Sequence, residues 1–351
     1  MQNKSRANFI KSNLTSNLSA KLARNKKIFS PLGLITIFCL LVLGLVFVFF
    51  EKTYIFESDP SLFEVKIPLI KKYRIGFMTD AHAKVKKNGL VYPESEIPMQ
   101  SFIPEMNNNF HPDFVIDGGD FIDGSKRFGE KSIRDYLGFS KIFETIQAPK
   151  YKVLGNHDLR GMTRETWTQL NGYEKSYYYF DYDKLRVIIF DSTLMPDPDD
   201  FSKEKAYREE VAWLENLLKK SQGYKKIIFT HYPLIPAFGR ASSIEIINEF
   251  NRITSQYGVR AVFSGHVEVV YYDKINGVDY FVVPGFFRSE NKEVLWKGSF
   301  AEITIGLRNH LKLFYKKDGD NEYRTLTIPS VEYENIKKEL DGKTNFLDQT
   351  E

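Results

Sequence analysis

Aspartate, asparagine and histidine side chains recur directly after short apolar runs in this sequence. Five such runs, rich in Val, Ile and Phe, are typical of β-strands, and each ends in a residue able to bind a metal ion or transfer a proton. In α/β sheets, ligand sites form at the carboxyl ends of strands, so these side chains are expected to converge on one edge. The residues are Asp80, His82, Asp120, Asp123, Asn156, His157, Asp158, His231, His266 and Glu268.

These residue types favour a particular class of metal chemistry. Oxygen and imidazole ligands without thiolate suit hard or borderline divalent cations. The single cysteine, Cys39, excludes an intrachain disulfide and disfavours a cysteine-rich zinc site. Two ions about 3.5–4 Å apart would clamp a phosphate ester and acidify a bridging water, and the hydroxide would attack phosphorus in line. The pattern therefore predicts a phosphoesterase.

Each motif has a purely structural explanation when it is taken alone. An Asp at a strand end is usually a helix cap, a Gly-Asp pair is usually a turn, and a single His is usually hydrogen-bonded within the fold. Five motifs in succession, all placed at strand ends, are not expected from coincidence. The set as a whole therefore favours function over structure.

The ordered set resembles the motif series of the calcineurin-like metallophosphoesterase family. It runs Asp-x-His, Gly-Asp-x-x-Asp, Gly-Asn-His-Asp, a single His and Gly-His-x-Glu, and the resemblance covers about residues 72–287. The segment 213–215, Trp-Leu-Glu, is similar to a helix of cyclic-nucleotide phosphodiesterases and purple acid phosphatases. The resemblance implies a layered α/β fold with two packed mixed β-sheets flanked by helices. It also implies two divalent ions (Mn, Fe, Zn or Mg) bridged by Asp120.

The resemblance also implies a role for each remaining position. Asp80 and His82 would hold the first ion, and Asn156, His231 and His266 would hold the second. The last motif position is a histidine in the family but Glu268 here. Carboxylates also bind Mn, Fe or Zn, so Glu268 either completes the first site or turns away and leaves that ion weakly held.

Two neighbours of Asn156 are candidates for proton chemistry. His157 is placed to steady or protonate the leaving oxygen. Asp158 either orients that imidazole or caps a helix beginning near Thr163. Arg240 and Arg288 are candidate substrate-binding residues, with surface salt bridges as the alternative. Neither a P-loop nor a G-x-S-x-G nucleophile elbow is present.

The elements that must position these residues alternate between strands and helices before giving way to hairpins. The hairpins are centred on Asn276-Gly277 and Arg308-Asn309. This order predicts a layered α/β domain with helices outside packed sheets. Predicted strands are 73–78, 114–117, 151–154, 186–190, 226–230 and 261–264, and the predicted helices are 131–146, 204–221 and 243–257.

An apolar segment precedes this domain. Residues 31–50 carry no charge and are long enough to span a bilayer. The run is longer than a signal peptide core and is followed by no small-residue cleavage site. Seven basic and no acidic residues in the first 50 favour a cytoplasmic N-terminus. We therefore expect a single-pass membrane protein with its catalytic domain outside the cytoplasm. The expected organisation is a basic tail (1–30), anchor (31–50), connector (51–70), catalytic domain (71–317) and charged extension (318–351).

The charge balance limits the partners of the catalytic domain. Removing the first 50 residues leaves 42 basic against 45 acidic residues, a net charge of −3. The body therefore lacks the basic character of a protein that binds long nucleic acid. Expected substrates are phosphate-bearing envelope lipids or glycans, or nucleotides. Two alternatives remain: a metal-binding scaffold or sensor ectodomain with weakened catalysis, motivated by Glu268, and a cytoplasm-facing cyclic-nucleotide phosphodiesterase.

Overall fold

The computed structural model describes residues 71–124, 128–196, 201–239, 243–286, 297–317 and 319–341. The expected tail, anchor and connector (residues 1–70) therefore lie outside the described residues. Within the described ranges, no helix has the length and apolar character needed to cross a membrane.

Twelve strands and seven α-helices are found in the described residues. In chain order the strands are β1 (Tyr73–Met78), β2 (Phe114–Asp117), β3 (Lys150–Lys152), β4 (Tyr178–Tyr182), β5 (Leu185–Phe190), β6 (Lys225–Thr230), β7 (Ala261–Ser264), β8 (Tyr271–Ile275), β9 (Val278–Val282), β10 (Lys297–Ile305), β11 (His310–Lys316) and β12 (Arg324–Ile328). The α-helices are α1 (Pro93–Pro104), α2 (Glu130–Phe143), α3 (Asn156–Gly161), α4 (Arg164–Asn171), α5 (Glu204–Lys219), α6 (Ile244–Gln256) and α7 (Val331–Asp341). A π-helix, Glu105–Phe110, continues α1, and short 3₁₀ turns occur at Ser192–Leu194, Phe201–Lys203 and Pro236–Phe238.

The strands form two mixed sheets of six strands each. The first sheet has the order β12-β11-β10-β1-β2-β3, and the second has the order β4-β5-β6-β7-β9-β8. In the first sheet β1, β2 and β3 are parallel, whereas β10 to β12 are antiparallel to their neighbours. In the second, β5, β6, β7 and β9 are parallel and β4 and β8 close the edges in antiparallel pairs. The expected class, α/β with two mixed sheets flanked by helices, is confirmed.

Three apolar cores account for the layers. Between the sheets, side chains such as Phe77 of β1 and Phe229 of β6 are fully buried, with ring centroids 5.5 Å apart. The outer face of the first sheet packs on α1 and α2, and the outer face of the second packs on α5 and α6. Because the parallel strands are covered on both faces, their sequences are continuous apolar runs rather than alternating ones.

The predicted elements agree with the observed ones to within a few residues, as is usual for element ends. One difference concerns the segment after residue 317, where a charged extension is expected. The first sheet continues there, because β12 pairs with β11 and buries Leu326 and Ile328 in the core between the sheets. Helix α7 follows, and its Tyr333 is 1% exposed. The alternation of apolar and polar residues in β12 is that of a strand with one buried face.

Candidate metal centre

The candidate site lies where loops from both sheets meet. Asp80 and Asp120 follow β1 and β2 of the first sheet, whereas His231 and His266 follow β6 and β7 of the second. The N–H of His266 donates to Asp80 Oδ2 at 2.9 Å, which connects the two sets of loops. The structure therefore brings together side chains that are up to 186 residues apart in the chain.

Asp120 lies at the centre of this site and is 1% exposed. Its Oδ1 accepts a hydrogen bond from the backbone N–H of His157 at 2.7 Å. Its Oδ2 lies 3.3 Å from Nε2 of His231 and 3.8 Å from Nε2 of His82. One carboxylate oxygen thus faces imidazoles from both sheets, which is the placement expected of a bridging ligand.

The two carboxylate oxygens of Asp80 have different surroundings. Oδ2 accepts hydrogen bonds from Thr79 Oγ1 at 2.6 Å and from the N–H of His266 at 2.9 Å. Oδ1 is buried, has no hydrogen-bond partner among the described residues and lies 3.9 Å from His82 Nε2. A buried carboxylate oxygen without a donor is costly unless a cation compensates it. Asp80 Oδ1 therefore has the surroundings of a metal ligand.

His231 is fixed by the backbone on one side and faces the site on the other. Its Nδ1 donates to the carbonyl oxygen of Gly118 at 3.0 Å, and its Nε2 lies 3.0 Å from Oδ1 of Asn156. A metal-binding imidazole is commonly oriented in this way, by a carbonyl oxygen that accepts from its other ring nitrogen. His231 and Asn156 are thus placed to share one ion.

Two sets of three side chains have ligand atoms that all lie within 4.8 Å of one another. The first set is His82, Asp120 and His157, and the second is Asp120, His231 and His266. Carboxylate and imidazole donors suit divalent ions of the kind expected from the sequence. Because the two sets share Asp120, and Asp80 Oδ1 adds an uncompensated oxygen beside the first, the residues fit a pair of divalent metal ions.

The two ligand sets leave the expected roles of Glu268 and His157 undecided. Glu268 belongs to neither set of the described residues, and its role as a ligand stays a prediction. His157 is expected to act as an acid but lies within the first set, with its ring centroid 4.4 Å from that of His82. Arg240 and Arg288, the candidate substrate-binding residues, lie outside the described residues.

The imidazole of His157 is held by Asp123 rather than by Asp158. His157 Nδ1 lies 2.7 Å from the carbonyl oxygen of Asp123 and 3.3 Å from its Oδ1. On the other side of the ring, Nη1 of Arg160 lies 2.7 Å from Nε2. Burial lowers the pKa of His157, but the hydrogen bond to Asp123 and the nearby Asp120 carboxylate raise that pKa by more.

Asp158 has a structural role in this geometry. Its Oδ1 accepts from the N–H of Ile122 at 3.1 Å, and its Oδ2 accepts from the N–H of Gly155 at 3.0 Å. The carboxylate thereby caps the start of α3 and fixes the loop after β2 to it. The later helix, α4, is capped by Thr163 itself, whose Oγ1 accepts from the N–H of Thr166. Asp158 therefore has neither of the two roles expected from the sequence: it does not orient the imidazole of His157, and it caps α3 rather than the helix near Thr163.

Several predicted ligands have a left-handed backbone. In the described part of the chain eight residues other than glycine have positive φ, and five of them are predicted ligands. Such a conformation costs on the order of 1–3 kcal/mol per residue and persists where surrounding contacts enforce it, as at functional sites. The five are Asp80 (φ 51°), His82 (42°), Asp120 (53°), His266 (72°) and Glu268 (48°).

Glycines allow these loops to approach one another. A Cβ atom placed on Gly155 would overlap the backbone nitrogen and Oδ1 of Asp120. A Cβ on Gly119, whose φ is +102°, would lie 2.7 Å from Nδ1 of His231. The glycines beside the motif residues are thus required by close packing around Asp120.

The charges of the ligand side chains follow from their burial and their neighbours. Burial lowers the pKa of His82 to about 4 and that of His266 to about 3, so both rings are neutral at pH 7. Burial also lowers the pKa of His231, but the Asp120 carboxylate raises it by more, to about 10. Burial raises the pKa of Asp80 to about 6. His82 and His266 are therefore ready to bind a metal as neutral imidazoles, whereas His231 is protonated beside Asp120 and must release a proton when it binds an ion.

Two residues of the site have no role assigned from the sequence. Asp123 belongs to the Gly-Asp-x-x-Asp motif, but nothing in the sequence pairs it with His157, because they are brought together by separate loops. Arg160 lies three residues after His157 on α3, a spacing that places both on one helix face. That spacing is the sequence signal from which a contact between Arg160 and His157 can be predicted.

The fold and the site together define an α/β protein with a candidate dinuclear metal centre between two sheets. A model of the calcineurin-like phosphoesterase family matches residues 73–269, more than half of the chain. The chain therefore belongs to the calcineurin-like phosphoesterase family, whose members are hydrolases of phosphoric esters.

Individual relatives agree with this assignment. The chain is 26% identical over 166 residues to a probable glycerophosphodiester phosphodiesterase, GpdQ, of Arcobacter nitrofigilis. That match covers 44% of this chain and 55% of the relative, so the chain spans about half the length of the curated protein it matches. Two solved structures share the fold. A dimetal phosphatase from Danio rerio has a TM-score of 0.54 and 14% identity, with 73% of this chain and 98% of that chain covered. GAP50 of Plasmodium, described as the anchor in the inner membrane complex, has a TM-score of 0.51 and 14% identity, with 74% and 90% covered.

Proposed function

We propose that this protein hydrolyses a phosphomonoester or phosphodiester with two divalent metal ions held between its sheets. The observation that carries the proposal is the pair of ligand sets that share Asp120. Asp80, His82 and Asp120 would hold the first ion, and Asp120, Asn156, His231 and His266 would hold the second. When bound, the ions supply Lewis acidity, which activates water and neutralises negative charge on a phosphoryl group.

The remaining side chains act on the substrate and its leaving group. His157 lies beside the first ligand set, and its Nε2 accepts from Arg160, so Nε2 is free to hold or donate a proton at the leaving oxygen once Arg160 turns to the substrate. Asp123 fixes the ring by accepting from Nδ1. The exposed guanidinium of Arg160 is suited to pair with a phosphoryl oxygen. No covalent intermediate with the protein is needed in this scheme.

The proposal has three further parts: the type of phosphate ester, the identity of the metal and the location of the domain. The name of the Arcobacter nitrofigilis relative supports a phosphodiester substrate. The donor set of the site supports Mn, Fe, Zn or Mg. The uncharged segment 31–50 and the basic residues before it support a membrane anchor with the domain outside the cytoplasm. A reporter fused after residue 351 tests this topology. Activity of a reporter that works only in the cytoplasm would contradict a catalytic domain outside the cytoplasm.

The hydrolase is tested with the full chain in detergent micelles, stripped of metal and then reloaded with Mn, Fe, Zn or Mg. Turnover of aryl phosphodiester and monoester substrates is measured together with the metal content per chain. We expect metal-dependent turnover that falls by about 10³-fold or more in Asp120→Asn, because the variant loses charge at both ions. Asp183→Asn, at an exposed turn, is the matched control.

The outcomes separate the proposed hydrolase from a scaffold. Turnover that is independent of metal, or equal in Asp120→Asn and the wild type, would contradict the proposal. Fewer than two bound ions per chain together with no turnover would favour the scaffold or sensor alternative.

A further inference from the structure

A large cavity opens beside the candidate metal centre. It has a volume of about 900 Å³ and is lined by His82 and by residues of α1, β10 and β11. Its charged lining residues are Lys84, Glu94, Lys297 and Lys316, and Lys84 is already paired with Asp123 at 2.9 Å. This volume lies near the upper end of the range for sites that enclose drug-sized ligands, about 300–1,000 Å³. A single phosphoryl group needs far less space. The cavity therefore has room for a substantial part of the substrate beyond the reacting group.

Two lysines in the cavity wall are placed to bind an anion. Lys297 and Lys316 are directly opposite each other in the antiparallel pairing of β10 with β11, and both line the cavity. Like charges in this arrangement destabilise a sheet. Neither lysine forms an ion pair within the described ranges, although Lys316 Nζ donates to the carbonyl oxygen of Asn321 at 2.7 Å. An anionic group between the two ammonium groups would remove their repulsion.

Apolar side chains also line the cavity. Tyr92 and Ile97 are 39% and 55% exposed, and Phe286, a third lining residue, is buried. On the adjoining turn, Leu90 is 57% exposed. Exposed apolar side chains grouped at the mouth of a cleft mark a surface that binds an apolar partner. A nucleobase or a sugar ring can stack on Tyr92, but the aliphatic side chains of Ile97 and Leu90 find a complementary group only in a hydrocarbon chain.

We infer that the substrate is an amphiphilic phosphate ester, a lipid whose anionic headgroup enters the cavity. Lys297 and Lys316 bind an anionic group of the headgroup, and Tyr92, Ile97 and Leu90 contact the acyl or prenyl chain. The inference rests on the proposed phosphoesterase function, because it concerns the cavity next to the same metal centre. The two lysines without an ion pair in the described ranges and the exposed aliphatic side chains of Ile97 and Leu90 together favour a lipid over the soluble substrates.

Binding is measured with the metal-stripped full chain in detergent micelles by isothermal titration calorimetry. The probes are decyl phosphate, inorganic phosphate and decanol, which carry both chemical features, the anion alone and the chain alone. We expect decyl phosphate to bind at least about tenfold more tightly than either of the others, because it contacts both the lysines and the apolar side chains. Partitioning of a given probe into micelles is common to the wild type and its variants. Affinities of different probes are compared at their free concentrations, after correction for partitioning into protein-free micelles.

Variants with matched controls test the lysines and the apolar side chains separately. Lys297→Glu should weaken decyl phosphate binding by about tenfold, whereas Lys338→Glu, on an exposed position of α7, serves as the charge control. Ile97→Asp should lower the ratio of decyl phosphate affinity to phosphate affinity by about tenfold. Leu307→Asp is its control, because Leu307 is 57% exposed and does not line the cavity.

The result that overturns the inference is equal affinity for decyl phosphate and inorganic phosphate, or equal effects of the cavity variants and their controls. Aryl phosphoesterase activity of the metal-loaded wild type is measured on the same preparation. Loss of that activity with the binding pattern intact would contradict the proposed function alone. Aryl activity without any preference for the chain would contradict the lipid inference alone.

Discussion

The chemistry of single residues in this protein is set by which atom of each side chain faces the site. Asp80, for example, has one carboxylate oxygen occupied by two donors and the other without a hydrogen-bond partner among the described residues. The identity of such residues follows from motif type and order. The sequence does not determine the pairing of Asp123 with His157, because the two residues lie 34 positions apart and meet only when the loops are placed.

This pairing gives a prediction about two carboxylates near one histidine. Asp123→Asn should lower kcat by about 10–100-fold and alter the pH profile, because the imidazole of His157 loses its anionic partner. Asp158→Asn should instead lower the free energy of unfolding by about 1–3 kcal/mol, since it disturbs two buried backbone hydrogen bonds. Steady-state kinetics across pH and urea denaturation of both variants check this. A pH profile of Asp123→Asn that matches the wild type would contradict it.

A second prediction concerns Glu210, a fully buried carboxyl group on α5. Its Oε1 accepts from the N–H of Asp191 at 2.6 Å, and its Oε2 has no hydrogen-bond partner among the described residues. Burial and the nearby Asp191 carboxylate raise the pKa of Glu210 well above its ordinary value of 4.5. The folded state therefore keeps the proton that the unfolded state releases, so the wild type loses stability as pH rises above 4.5.

We expect Glu210→Gln, which keeps the acceptor, to be more stable than the wild type at pH 7. The advantage should vanish near pH 4 and should grow with pH by no more than about 1.4 kcal/mol per pH unit. Urea denaturation of the metal-stripped proteins between pH 4 and 8 measures it. Glu209→Gln, the exposed neighbour on the same helix, is the control. A stability difference that is independent of pH would show that Glu210 is not the titrating group.

At the scale of elements, the sequence predicts the strands and helices that have a regular apolar pattern. The apolar runs of β1, β2, β3, β5, β6 and β7 and the regular spacing of α5 are examples. Helix α1 is not predicted, because Pro93, Pro98 and Pro104 break the expected pattern of a helix. It forms because Met99 and Phe102, both fully buried, pack against the first sheet. Tertiary packing therefore decides this element, and a single sequence does not contain that information in local form.

The loops at the strand ends lead to a prediction about Gly155. Gly155→Ala should reduce metal content and lower the free energy of unfolding by about 1–3 kcal/mol, because the added methyl group overlaps Asp120. Gly306→Ala is the control, since the nearest atoms to a Cβ there lie 3.6 Å away. Metal analysis and urea denaturation are the measurements. Full metal occupancy in Gly155→Ala would show that the loops can separate without loss of the site.

On the scale of the whole molecule, the C-terminal segment of the described chain completes the core. Tyr333 of α7 is 1% exposed, and its hydroxyl accepts from the N–H of Tyr272 at 2.7 Å. We expect Tyr333→Ala to lower the free energy of unfolding by about 3–5 kcal/mol, since it removes a large side chain from between the sheets. Val331→Ala, at a position that is 79% exposed, should change stability by less than about 0.5 kcal/mol. Thermal and urea denaturation compare them, and equal midpoints would contradict the role of α7 in the core.

The placement of the ligands on both sheets links metal supply to the lifetime of the protein. Metal ions held by the loops after β1 and β2 on one side and after β6 and β7 on the other would bind the folded chain and not the unfolded one. At a free metal concentration 100 times the dissociation constant, this linkage adds about 2.7 kcal/mol to stability for each site. In a cell deprived of the metal, proteolysis would therefore remove more of the protein, because a larger fraction of the metal-free chain is unfolded. Abundance would then report metal availability, in addition to activity.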